Sequence, residues 1–486
     1  MLSEVVLCSS STESFVNVLD FHTSTLHTSF KQSNCFKHAL ALIPYPGQCD
    51  RIGLIISAQV DKPLLHVYSF QKDQVHLKII CPEKIVALAV SNGGVFCAGG
   101  IENGKIYIWE ISTGILCKVF DAHYKRISVI KFSNDDSALI SGSEDAGVNV
   151  WLLTNLLDNS VDEAPSPYYT WSEHSLPITD IWCGIGSFNT TRVLTSSLDH
   201  TCKLWDLATG YLLTTFVFPT AITCIIADPA ERMFFGGGND NLIYQVYLYT
   251  KQEKRGYFMA NNNEEVIAVG GTASIVDACE IAPTLNSSKD NKKGNLFKGH
   301  SSSVTSLALS YDATLLLSGS QDGTLIIWDI MSKQMIKNFS HYKGPITNLF
   351  TFIKPPDLGL STNNLSNKIT IQPIQLFQRN TILQKDNSES VNIILNDNTK
   401  EMELFEYNFT SQAIASSELY DLHKARQTLL QLQSDDNAST LQTRISSLQS
   451  ELLRIHNQYQ CIKGLNDELY QELVTNFIAK RRENNN

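Results

Sequence analysis

The stretch 299–330, GHSSSVTSLALSYDATLLLSGSQDGTLIIWDI, decides the fold. It opens on Gly299-His300 and runs through the alternating strand VTSLALS. A second strand, TLLLSGS, ends in small residues, and the Asp322-Gly323 pair then supplies a tight reversal. A third strand closes on Trp328-Asp329. Alternation between polar turns describes a β-meander, because side chains on a strand point to opposite faces with a period of two.

Working outward, the closing aromatic recurs as Tyr68, Trp109, Trp151, Trp205 and Tyr247, with Leu19-Asp20 as a degenerate copy. The spacing is mostly that of a propeller blade, about 40–45 residues. The fold expected is an all-β, seven-bladed WD40 β-propeller over residues 1–353. Residues 250–293 lack a His, an Asp-Gly pair and a Trp, and read as a loop inserted into one repeat. A ring must fasten its ends or expose unpaired strand edges. EVVLCSS, SFVNVLD and TLHTSF within residues 3–30 lack an inner strand, and GPITNLFTFI at 344–353 lacks partners. Together they are expected to close one blade from both termini.

Three copies carry a full polar set: His123, Ser141, Asp145 and Trp151; His174, Thr195, Asp199 and Trp205; His300, Ser318, Asp322 and Trp328. The hydroxyl always stands ten residues before the indole and the Asp six before. This spacing suits a buried chain in which Asp orients His, His bonds the hydroxyl and the hydroxyl meets the indole N–H. A Ser-His-Asp combination also invites a hydrolase reading. Repetition at blade period favours a structural element, since catalysis needs one accessible nucleophile with an oxyanion hole. The copies ending at Trp109 and Tyr247 show Gly99 with Asn103 and Gly237 with Asn241 instead, so packing is expected to hold those blades.

Residues 354–415, rich in Asn, Ser, Thr and Gln, read as a linker in which ITIQPIQLFQ and SVNIILN are able to add edge strands or wrap the propeller. Residues 416–482 read as a helical tail, with Leu419, Leu422, Leu429 and Leu432 in a first helix. In the second, Leu441, Ile445, Leu448, Leu452, Ile455, Tyr459, Ile462, Asn466, Leu469 and Leu473 form a 4-3 seam, predicting a coiled coil over 441–476. So narrow a stripe calls for a partner helix. Homodimer and hetero-oligomer are both compatible with it.

The net charge of −11 gives no basic footprint for sequence-independent nucleic-acid binding, and direct RNA contact stays open. No apolar run approaches 18 residues, so no membrane span is expected. The start, MLSEVVLCSSSTESF, lacks a basic, apolar leader pattern, and the eleven cysteines form no CxxC pair. A reducing compartment, cytosol or nucleus, is expected. No phosphate loop, HExxH helix or GxSxG elbow occurs, so neither cofactor nor metal is expected and the chain reads as no enzyme. Lys480-Arg481-Arg482 reads as a solvated helix end or a nuclear-import signal.

HSLPITDIWCG at 174–184, TSSLDHTCKLWDLATG at 195–210, KIICPEKIVALAVS at 78–91, SGSQDGTLIIWDI at 318–330, GPITN at 344–348 and LNDELYQELVTNFIAKR at 465–481 resemble the WD repeat-containing protein 18 family. These are the propeller subunits of the Rix complex, or rixosome. The resemblance implies a non-enzymatic scaffold in maturation of the large ribosomal subunit, including removal of the second internal transcribed spacer from precursor rRNA. It implies the nucleolus and nucleoplasm as location. Implied partners are helical-repeat scaffold subunits, a midasin-type AAA ATPase, the Las-type endonuclease with its polynucleotide kinase, and the pre-60S particle. The rival from the same fold is a WD adaptor of another assembly: a ubiquitin-ligase receptor, a vesicle coat, or a chromatin and replication-licensing factor.

Overall fold

The computed structural model describes residues 4–45, 48–158, 165–253, 264–268, 274–278, 296–340, 342–355, 358 and 373–379. The chain divides into two compact units, residues 1–394 and 395–486, and every described residue belongs to the first. The helical tail over 416–482, with the seam residues named above, lies outside the described residues.

Seven antiparallel sheets of four principal strands form the first unit. The inner strands are Ile346–Ile353, Leu40–Tyr45, Ile85–Val90, Ile127–Phe132, Ile178–Cys183, Ile222–Ala227 and Val304–Leu309 in blades one to seven. Neighbouring inner strands pack on one another around a central channel, and the last returns to the first. Second strands such as Ala138–Ser143 (ALISGS) are buried throughout because the adjoining blades cover both faces. Outer strands such as Val75–Ile80 (VHLKII) alternate buried and open, since only one face is covered.

Blade one joins the first three strands of the chain to the last strand of the ring. Its order is Thr25–Lys31, Phe15–Asp20, Glu4–Ser10 and Ile346–Ile353, with Glu4 opposite Ile353 and Ser10 opposite Ile346. Strand hydrogen bonds thereby fasten the ring where the chain would otherwise leave two free edges.

In blade six the third strand, Leu242–Tyr247, and the outer strand, Leu296–Lys298, stand on either side of the insertion. That insertion is more than a loop. Tyr249–Glu253 pairs with Glu264–Ala268, and Ser274–Asp277 adds a fifth, parallel strand beside Leu212–Val217 of blade five. The polar composition of 250–293 hid these strands, because an added edge strand needs only one apolar face and backbone pairing.

The register of blade six also corrects the repeat alignment. Val193 lies opposite Trp205 in blade five, and the corresponding pair in blade six is Phe234 opposite Val246. Val246 is fully buried, whereas Tyr247 turns partly outward. The closing position is therefore Val246, with Gly236 at the hydroxyl position and Asp240 at the turn.

Candidate functional site

In the first two polar sets every expected partner meets. The His123 ring lies 3.1 Å from Asp145 Oδ2 through Nδ1 and 2.8 Å from Ser141 Oγ through Nε2, and the Trp151 indole donates to the same Oγ at 3.1 Å. His174 stands 2.9 Å from both Asp199 Oδ2 and Thr195 Oγ1, and Trp205 donates to Thr195 Oγ1 at 3.0 Å. The consistent proton arrangement has Nδ1–H donated to Asp and the hydroxyl donating to Nε2 while accepting from the indole. Burial alone would raise the Asp145 and Asp199 carboxyls. The hydrogen bonds from His123 and His174, with those from nearby amides, outweigh it and hold both carboxyls low.

The third set departs from expectation. His300 Nε2 lies 2.7 Å from Ser318 Oγ and Trp328 donates to that oxygen at 2.8 Å, but Nδ1 meets Thr324 Oγ1 at 2.9 Å and stands 3.9 Å from Asp322. Thr324 donates onward to Asp322 Oδ1, and Asp322 Oδ2 accepts from the backbone and hydroxyl of Ser301. Asp322 thus orients His300 through a relay. Thr201 occupies the matching place in blade five but leaves the direct contact intact.

Ser141, Thr195 and Ser318 are each 0% exposed. Each hydroxyl has its donor and its acceptor role filled inside the blade, so none can reach a substrate carbonyl. What these sets can do is pin the outer-to-inner loop against the third strand.

Blades without the set find other partners. Tyr68 donates to the Lys31 carbonyl at 3.2 Å, and Tyr244 to Asp240 Oδ2 at 2.5 Å. Trp109 donates to the carbonyl of Gln378 at 3.0 Å, a residue far beyond the last blade. That blade was expected to hold together mainly by packing. Gln378 ends the stretch ITIQPIQLFQ, read as able to wrap the propeller, but nothing in the sequence marks the Trp109 indole as its landing point.

At one mouth of the channel, the loop between the outer strand of blade one and the inner strand of blade two reaches across the opening. Lys37 Nζ donates to the Thr223 carbonyl at 2.6 Å, and His38 Nε2 lies 3.3 Å from the Thr179 carbonyl and 3.7 Å from Asp180. Asn348 accepts from the His38 amide and donates to the Phe36 carbonyl. Burial pushes the His38 imidazole down to about 3, with Asp180 opposing the shift. His38 is therefore a neutral strut tying blades one and five. Behind it lies a cavity of about 350 Å³ lined by Lys131, Asn134, Trp182 and Thr351, among others. Among the described residues no group of three or more His, Cys, Asp or Glu is placed to hold a metal ion.

Apolar side chains stand on both faces of the ring. Tyr124, 99% exposed, shares one face with Leu176 and Leu198; Ile185, Tyr211, Tyr311 and Met331 lie on the opposite one. Near the first group, Lys84 Nζ and the Arg126 guanidinium sit 5.1 and 5.2 Å from the Phe36 ring centroid. Exposed aromatic groups beside half-buried cations suit docking of other macromolecules.

Comparison with known proteins agrees with this geometry. The WD domain, G-beta repeat family matches residues 114–151, 165–206 and 291–329, the three copies with a polar set. The chain is 31% identical over 484 residues to WD repeat-containing protein 18 of Danio rerio, covering 98% of each chain. It is 36% identical over 304 residues to the protein of that name in Homo sapiens, covering 62% of this chain and 63% of that one. Pre-rRNA-processing protein crb3/ipi3 of Schizosaccharomyces pombe is 32% identical over 348 residues, 68% of this chain and 74% of that one.

Proposed function

Because this chain belongs to the WD repeat-containing protein 18 family, we propose that it serves as a scaffold subunit in ribosome biogenesis, acting in pre-rRNA processing without catalysing a reaction itself. The observation that carries this reading is the end-to-end similarity over 98% of the chain, joined to hydroxyl groups that are sealed inside their blades. Relatives named for pre-rRNA processing in three fungi point the same way.

The more specific reading is a subunit of a Rix-type complex in the nucleolus and nucleoplasm, needed for processing at the second internal transcribed spacer. Exposed aromatic groups on the two ring faces would receive the helical-repeat subunits, the midasin-type ATPase and the Las-type endonuclease complex on the pre-60S particle. The heptad seam from Leu441 to Leu473 would add a helical docking element, pairing with a second copy or with a partner helix.

Purification of the full chain through an affinity label, followed by mass spectrometry, tests this. Large-subunit precursors with the helical-repeat, ATPase and endonuclease subunits are expected. A chain ending before Ser416 should lose a partner or its second copy. Recovery of ubiquitin-ligase or vesicle-coat subunits in their place would overturn the reading.

A further inference from the structure

One position of the outer strand repeats around the ring. It pairs with the residue three places before the closing residue of the third strand, and in blades one to seven it holds Phe30, Ile79, Phe120, Trp171, Phe216, Phe297 and Phe339. Each aromatic reaches forward onto the following blade. Phe30 meets Tyr68 at 5.3 Å between centroids, Phe120 meets Trp151 at 4.7 Å, Trp171 meets Trp205 at 4.5 Å, and Phe297 meets Trp328 at 5.6 Å. Phe216 meets Phe234 at 5.0 Å, and Phe339 joins Leu19 in one buried cluster.

Ile79 is the exception, and the blade after it is the one whose Trp109 lacks a hydroxyl partner. Besides Tyr107 of its own strand, at 5.4 Å and 11°, the ring that stacks on Trp109 is Phe377, at 5.2 Å and 14°. It is 5% exposed and belongs to the core cluster that runs through blades one to three. Backbone bonds hold it there: the Gln375 amide donates to the Ile111 carbonyl at 3.3 Å and the Gln378 amide to the Gly114 carbonyl at 2.7 Å.

Blade five shows the same arrangement built from the preceding blade. Trp171 stacks on Trp205 at 7° and donates to the Gly210 carbonyl at 3.0 Å. Gly114 and Gly210 both have φ of +73°, and a Cβ on Gly114 would press into the Leu376 carbonyl. The turn after Trp109 is thus shaped to receive a peptide backbone.

We propose that the rim between blades two and three is a peptide-binding groove, that residues 373–379 fill it in cis, and that Phe377 supplies the aromatic that Ile79 does not. The groove recognises an extended segment through one ring on Trp109, one carbonyl for the indole N–H and two backbone amides for the turn. The proposal stands independently of the ribosome-assembly reading, because its readouts are binding and protection of the isolated full chain.

The test uses a full-length chain in which residues 373–379 are replaced by seven Gly and Ser residues, and a fluorescent peptide spanning residues 371–381. The replaced chain should bind the peptide saturably and the unaltered chain at least tenfold more weakly. A peptide carrying Phe377→Ala should not bind, and Gly114→Ala in the replaced chain should abolish binding. Equal binding to both chains, or none to a folded replaced chain, would overturn the proposal. Should the replaced chain not fold, hydrogen exchange on the unaltered protein decides. Slow exchange at Gln375 and Gln378 supports the groove, and exchange at the unfolded rate contradicts it.

Discussion

Replacing Ser318 by Ala isolates what the polar sets contribute. The change leaves His300 Nε2 and the Trp328 indole without the oxygen they share at 2.7 and 2.8 Å. Leaving buried polar groups unpaired costs about 1–3 kcal/mol. Urea unfolding should show that loss, with a folded protein that still joins its partners. A variant of unchanged stability that loses a chemical activity would instead support the hydrolase reading. Acid provides a second handle. Burial pushes His300 down to about 4 from its ordinary 6.5, and His38 to about 3. Between these values the unfolded chain binds more protons than the folded one, so stability falls as pH drops from 6.5 toward 4. Asp322 is held down to about 2 despite its burial, by hydrogen bonds from Thr324 and Ser301, and extends the same trend below the ordinary 3.8. Urea midpoints measured from pH 7 to 4 should decline, less steeply in His300→Gln. A midpoint that rises on acidification would contradict the assignment. The sets were legible in the sequence because the pairing of second and third strands fixes the spacing between hydroxyl and indole. Blade six was misread by one residue because Tyr247 and Asn241 mimic a closing aromatic and a turn residue. Asp240, six before Val246, was the signal that would have corrected it.

At the level of elements, blade packs on blade through missing side chains. Gly100, Gly142 and Gly319 of the second strands each face a branched residue of the next inner strand: Ile130, Ile178 and Ile346. A Cβ on Gly142 would stand 2.8 Å from Ile178 Cγ2 and 2.9 Å from Ile181 Cδ1. Gly142→Ala should therefore cost about 1–3 kcal/mol through overpacking, measured by chemical denaturation, and Ile181→Val, which removes the Cδ1 in the way, should recover part of it. A neutral Gly142→Ala would show that the blades have slack. The two-ended blade was readable because three strands lacked an inner one and a late strand lacked partners. Residues 373–379 show where such reading stops. An extended segment without periodicity carries no mark of its destination, and the gap it fills at Ile79 becomes visible only once all seven registers are known.

For the whole molecule, a ring whose Ser141, Thr195 and Ser318 hydroxyls are sealed and whose faces carry Tyr124, Tyr211, Tyr311 and Met331 is built to hold other components in place. Fastening the first and last strands of the ring in one blade keeps those faces in fixed relation, which is what an assembly platform requires. Rapid depletion of the protein in its own cells, followed by blotting for precursor rRNA, is the most direct test of this account. Precursors that retain the second internal transcribed spacer should accumulate, and a copy carrying Ser141→Ala, Thr195→Val and Ser318→Ala should restore processing when expressed at a temperature where it stays folded. Unchanged precursors after depletion, or a well-folded triple variant unable to restore them, would contradict it.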